Sequence, residues 1–273
     1  MKSAHTKLCC VIGNPVEHSL SPQMHNAAYK ALGLDFTYLA FAPTDLEAAL
    51  KGLLSIGTTG ISVTIPFKEE ILKYVGEIDQ AVEIIGSANT LLNKNSTWYA
   101  HNSDWIGAIA AIKEKTELKE RQAIVLGSGG VARAIAYGLK KEGALVYVVA
   151  RNNVKGPKLV RDLSLAGYFE KNDDLLKRSD IIINATPLGM KPNESQSPVE
   201  KNLLTKHHIV FDCVYTPKKT KLLEDALDVR ASVVYGYKML LYQGVEQFKL
   251  FTGHKAPIEI MEKALVSALS INN

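Results

Sequence analysis

Four polar clusters and one glycine-rich loop hold the residue types in this chain that can do chemistry. The first cluster, Gly13 to Pro22, offers Ser19 and Ser21 beside an expected helix N-terminus, where hydroxyls and free backbone N–H groups suit a small carboxylate. A plain N-cap role for Ser21 accounts for the same residue without a ligand. In the second cluster Ser62 and Thr64 share one face of a strand, and Lys68 lies just past its end. The third is Ser87-Ala88-Asn89-Thr90 and the fourth His101-Asn102-Ser103-Asp104. Lys68 and Asp104, delivered from different strand ends, can form a proton-transfer pair, although most Lys–Asp pairs are only surface ion pairs.

The loop Gly127-Ser128-Gly129-Gly130-Val131-Ala132 follows an apolar strand and opens a helix, as a G-x-G-x-x-A dinucleotide fingerprint requires. Gly127 permits a tight turn, Gly129 lets backbone approach a pyrophosphate, and Ala132 is small enough for helix-on-strand packing. The helix N-terminus then presents free N–H groups and partial positive charge to the phosphates. An ordinary β-to-α turn is the competing explanation. The next strand ends in Ala150-Arg151-Asn152-Asn153-Val154-Lys155, with no acid for a ribose 2′-hydroxyl. Arg151, aided by Lys155, suits a 2′-phosphate, so NADP(H) is expected over NAD(H); a solvated strand-end charge is the bland alternative for Arg151.

Positioning these groups falls to alternating strands and helices. Strands are expected at Leu8 to Ile12, Phe36 to Phe41 and Gly60 to Ile65, with helices from Ser21 to about Gly33, after a Thr44-to-Glu47 capping box, and at Lys68 to Tyr74 and Gln80 to Ile85. Asn89 to Leu92 and Thr97 to His101 read as a hairpin. After a helix beginning near Asp104, strands at Ala123 to Leu126, Leu145 to Val149, Ile181 to Asn184, Ile209 to Cys213 and Ser232 to Val234 form a parallel set. Tyr168-Phe169 adds a short strand, and helices are expected at Val131 to Lys141, Lys155 to Ala166 and Asp173 to Lys177. The fold expected is α/β in two domains: an N-terminal substrate domain with a mixed sheet, residues 1–104, and a Rossmann-type doubly wound domain, residues 105–236. Residues 237–273 read as two helices without a strand of their own, packing back on the first domain.

The 273 residues, at roughly 150 per domain, agree with two domains. Hydrophobic content of 47% and charged content of 22% exclude a disordered chain. A net charge of +4, with scattered basic residues, gives no argument for nucleic acid or a membrane surface. No apolar run approaches a membrane span and Met1 to Lys7 is too polar for a signal peptide, so a cytoplasmic location is expected. Cys9, Cys10 and Cys213 lack metal-ligand spacing and read as reduced core thiols, with no metal site. Monomer and homodimer remain open.

Eight segments in order resemble the shikimate dehydrogenase family over essentially the whole chain. They are GNPVEHSLSPQMHN from Gly13, GISVTIPFK from Gly60, GSANT from Gly86, NSDWIG from Asn102, GSGGVARA from Gly127, NATPLGM from Asn184, DCVYTPKKTKLL from Asp212 and GYKMLLYQG from Gly236. The resemblance implies NADPH-dependent reduction of 3-dehydroshikimate to shikimate in aromatic amino acid biosynthesis. It implies that Lys68 and Asp104 are the catalytic pair, that Ser19, Ser21 and Tyr215 hold the carboxylate, and that Thr64, Asn89, Asp104 and Gln243 hold ring hydroxyls. It also implies a substrate contact at Ser62, and cofactor contacts at residues 127–132, Arg151, Asn152, Lys155, Thr186, Gly236 and Met239. Ser62 stands where the family most often has Asn, Ser103 where Thr is commoner and Ala150 where Asn is frequent. The Tyr235-to-Met239 turn lacks an Asp and a second Gly found in many relatives. The rival functions are a quinate/shikimate dehydrogenase of broader substrate and cofactor use, and an inactive nucleotide-binding homologue.

Overall fold

The computed structural model describes residues 3–271, and these divide into two compact units, residues 3–103 with 243–271 and residues 104–242. The first unit runs β1 (Lys7–Ile12), α1 (Ser21–Ala31), β2 (Phe36–Phe41), α2 (Leu46–Ser55), β3 (Gly60–Val63), a 3-10 turn (Glu70–Tyr74), β4 (Glu77–Ile78), α3 (Gln80–Ile85), β5 (Thr90–Lys94) and β6 (Thr97–His101). Its sheet has the order β2-β1-β3-β5-β6-β4, with β1 parallel to β2 and β3, and β5 antiparallel to β3 and β6. The sheet is therefore mixed. The period of two sorts its side chains: Cys10, Ile12, Ile61 and Val63 join Leu46, Leu50 and Ile71 in one core cluster. The opposite face carries Cys9, Tyr38 and Ser62. Asn95 and Ser96 both take positive φ, 52° and 59°, so the β5–β6 hairpin closes in a two-residue turn that matches strand twist.

The second unit runs α4 (Asp104–Lys113), β7 (Gln122–Leu126), α5 (Gly130–Lys141), β8 (Leu145–Val149), α6 (Lys155–Leu163), β9 (Gly167–Phe169), α7 (Asp173–Arg178), β10 (Ile181–Asn184), β11 (Ile209–Asp212), α8 (Lys221–Asp228) and β12 (Ser232–Val234). All neighbouring strands pair in parallel, in the order β12-β11-β10-β7-β8-β9. Strand order reverses between β7 and β10, the switch point at which open α/β sheets bind ligands. The helix α9 (Gly236–Thr252) starts in this unit and ends in the first, and α10 (Ile258–Ile271) packs on α1.

Several local expectations need correction. Asp45, not Thr44, caps α2, because its extended backbone aims Oδ1 at the Ala48 N–H, and Glu47 instead pairs with Lys51. Ser21 is the first helical residue of α1 and no side chain caps the helix: Leu20, at φ −92° and ψ −1°, is already near-helical. The Lys68-to-Tyr74 helix is a 3-10 turn starting at Glu70, and β4 and α8 add to the expected elements. Asp104 lies with the second unit because it begins α4, which packs on α5. Residues 237–242 also lie there, where Lys238 and Tyr242 bond Glu114. Cys9 and Cys10 are buried, whereas Cys213, just past the end of β11, is only half-buried.

Candidate active site

In the first unit the polar clusters meet at the C-terminal ends of β1 and β3, around the β3–β5 junction. Backbone bonds from Thr64 N–H to Ile12 C=O and from Asn14 N–H to Ile65 C=O continue the β1–β3 pairing past the strands. Gly13 is required there, since a Cβ on it would sit 2.3 Å from Thr64 Cγ2. Lys68 follows on the turn after β3, and its carbonyl accepts the Ala88 N–H at 2.8 Å, which joins the Lys68 turn to the Asn89 segment. The Ser19 hydroxyl accepts the Ser21 N–H at 3.4 Å, so both serines stand at the uncapped start of α1.

Asn89 is 2% exposed and its orientation follows from the backbone. Its Oδ1 accepts the Ser103 N–H at 2.6 Å, a donor that cannot reverse, so its Nδ2 faces Ser103 Oγ at 3.0 Å and Gln243 Oε1 at 3.4 Å. Gln243 is thereby held with its carbonyl toward Asn89. Ser62, by contrast, is committed within the protein: it accepts from the Tyr38 hydroxyl at 2.5 Å and donates to Gln247 Oε1 at 2.7 Å.

In the second unit the glycine loop has the shape its sequence asks for. Gly127 takes φ +111° and lies against Ala185 and Thr186, where a Cβ would come within 3.1 Å of a carbonyl oxygen. Gly129 is the extended N-cap of α5, with open space where a Cβ would be and no side-chain cap bond, and Ala132 is fully buried. Ser128, Gly130 and Val131 are partly exposed. The uncapped N–H groups at this bare end suit the pyrophosphate of a dinucleotide. Arg151 and Lys155 are exposed beyond β8, and Asn152 Oδ1 accepts the Val154 and Lys155 N–H groups at 3.1 and 2.7 Å, starting α6.

Thr186 is fixed by its N–H and hydroxyl, both donating to Asn184 Oδ1 at 3.0 and 2.7 Å. Asn184 in turn donates to Asp212 Oδ1 at 2.9 Å, and Asp212 also accepts from Thr220 Oγ1 at 2.6 Å and the Val214 N–H at 2.9 Å. Burial pushes the Asp212 carboxyl up to about 6, against the pull of these three donors. Gly236 packs on the same turn, where a Cβ would lie 2.5 to 2.7 Å from three carbonyl oxygens. Met239 is buried one turn along α9, Tyr215 is half-buried beyond β11, and Asp104 is 6% exposed at the start of α4. Among the described residues no group of three or more His, Cys, Asp or Glu is placed to hold a metal, and no helix is long and apolar enough to cross a membrane.

The sequence reading missed Tyr38, Asn184, Asp212 and Gln247 as supports of the site. Three of these carried a signal. Gln247 lies four residues after Gln243 and so shares its helix face, and Asn184 and Asp212 are the terminal residues of two strands that pair in register.

Comparison with known proteins covers both units. The family model for the shikimate dehydrogenase substrate binding domain matches residues 11–91, that for shikimate / quinate 5-dehydrogenase residues 109–217, and that for the shikimate 5′-dehydrogenase C-terminal domain residues 236–266. The shikimate dehydrogenase (NADP(+)) of Methanobrevibacter smithii is 39% identical, with 99% of this chain and 100% of that one covered. A crystal structure of a shikimate dehydrogenase in complex with NADP+ superposes with a TM-score of 0.94 at 37% identity, over 98% of each chain. The Thermus thermophilus shikimate 5-dehydrogenase in complex with NADP(H) and shikimate gives 0.90 at 32% identity, over 96% of this chain and 99% of that one.

Proposed function

The chain belongs to the shikimate dehydrogenase family, and from that membership we propose how its residues divide the NADP-dependent interconversion of 3-dehydroshikimate and shikimate. Bound NADPH supplies a hydride to the ring ketone. As negative charge develops on the ketone oxygen, the Lys68 ammonium stabilises and protonates it, and Asp104 orients Lys68. Ser19 and Ser21, with Tyr215, hold the substrate carboxylate at the start of α1; Thr64, Asn89, Asp104 and Gln243 hold ring hydroxyls, with Ser62 beside them.

Residues 127–132 cradle the pyrophosphate, Arg151 and Lys155 read the 2′-phosphate, and Asn152, Thr186, Gly236 and Met239 complete the cofactor contacts. The observation that carries this reading is the buried cluster in which Ser103 fixes the Asn89 amide and Asn89 bonds the Gln243 amide, two of the side chains that the resemblance assigns to ring hydroxyls. Three free cysteines agree with a cytoplasmic location. All the residues assigned belong to one chain, so the chemistry needs no second copy; a homodimer is compatible with it.

The test is a set of initial rates with shikimate and with quinate, each offered NADP+ and NAD+. Strong preference for shikimate with NADP+ is expected. Comparable use of quinate or NAD+ would move the protein to the broader-specificity branch, and no turnover with any pair would leave the inactive nucleotide-binding reading.

A further inference from the structure

We propose that Gln247 is a positioning residue for the substrate ring, its carboxamide on α9 tying Ser62 on β3 to the Asn89–Thr90 backbone and side chains. The inference rests on the proposed dehydrogenase function, and Gln247 itself lies three residues beyond the GYKMLLYQG segment. Ser62 stops one atom short of an amide. Its hydroxyl donates to Gln247 Oε1 at 2.7 Å, and Gln247 Nε2 donates onward to the Asn89 carbonyl at 3.1 Å and to Thr90 Oγ1 at 3.0 Å. A backbone carbonyl can only accept, so the Gln247 amide cannot be reversed. The Thr90 hydroxyl donates in turn to Asn89 Oδ1 at 2.9 Å.

Asn89, a proposed ligand of a ring hydroxyl, is therefore held from two directions: by Gln247 through its carbonyl and Thr90, and by the Ser103 N–H at 2.6 Å. Gln243, one turn earlier on the same helix, receives the Asn89 amide at 3.4 Å. Gln247 is 1% exposed, and Ser62 5%. An Asn at position 62 would put its amide atoms about 1.3 Å beyond the place of Ser62 Oγ. Only 2.7 Å separates that oxygen from Gln247 Oε1, so the strand and the helix cannot both supply an amide here. The Tyr38 hydroxyl fills one acceptor site of Ser62 at 2.5 Å, which leaves Ser62 one acceptor and no proton for the ring.

The experiment is steady-state kinetics with shikimate and NADP+ on wild type, Ser62→Asn, Gln247→Ala, Gln247→Met and the double variant Ser62→Asn/Gln247→Ala, with a thermal melt of each. Both Gln247 single variants are expected to raise the shikimate KM about tenfold, the loss of one hydrogen bond's worth of binding, while the NADP+ KM stays within about twofold. Ser62→Asn alone is expected to be impaired by crowding, and the double variant to return to within about threefold of wild type, because it moves the amide back to the strand. A folded Gln247→Met with wild-type shikimate KM would overturn the inference and leave the function standing. A double variant as impaired as the product of its singles would do the same. A wild type that turns over no shikimate would remove both.

Discussion

His25 stacks face to face on Tyr38, with ring centroids 4.4 Å apart and planes 4° from parallel, and neither of its ring nitrogens has a hydrogen-bond partner among the described residues. Burial pushes its pKa down from 6.5 to about 3, so the folded protein keeps it neutral where the unfolded chain takes up a proton. The unfolded state binds more protons below pH 6.5, and stability falls as pH falls from there toward 3, by roughly 5 kcal/mol over the whole window. Replacing His25 with Phe should remove this acid loss. Urea midpoints between pH 4 and 7 check it, and a variant as acid-sensitive as wild type would refute the assignment.

Asp212 contributes with the opposite sign. Its pKa is raised from 3.8 to about 6, so the native state binds the extra proton, and the associated stability is present below pH about 4 and lost as pH rises through 6. The difference amounts to roughly 3 kcal/mol. Asp212→Asn should gain on wild type in denaturant midpoint between pH 4 and pH 7, measured as the gap between the two proteins. A gap constant across that range would show that the carboxyl titrates as it does in the unfolded chain.

Lys68→Ala should lower kcat by about 10²- to 10⁴-fold, the usual loss on removing a general acid. NADPH affinity, followed by nicotinamide fluorescence, should hardly change, because Lys68 belongs to the first unit and the glycine loop to the second. Turnover near the wild-type level would take Lys68 out of the mechanism.

Arg151→Ala should raise the KM for NADPH about 10- to 100-fold and leave that for NADH nearly unchanged, since only NADPH carries the phosphate whose charge-assisted bonds are lost. Parallel losses with both coenzymes would mean that Arg151 reads something other than the 2′-phosphate.

The sequence by itself determined the layer plan and much of the site. Short apolar runs between helical stretches predicted the parallel sheet of β7 to β12, because crossover helices cover both faces of a parallel sheet and its strands therefore read as continuous apolar runs. The glycine loop was equally legible, since Gly127 and Gly129 are demanded by local φ and close backbone approach. Helix starts were less so: Thr44 and Asp45 can both cap, and the choice rests on which backbone turns extended. What only the tertiary structure decided is how the polar side chains are spent. Ser62 and Gln247 lie 185 residues apart, and no periodicity relates a strand hydroxyl to an amide on a helix near the other end of the chain. Hydrogen bonding depends on direction as well as residue type, and the direction of Asn89, Gln243 and Gln247 is set by the fixed N–H of Ser103 and the fixed carbonyl of Asn89, which meet only once the sheet and α9 have packed.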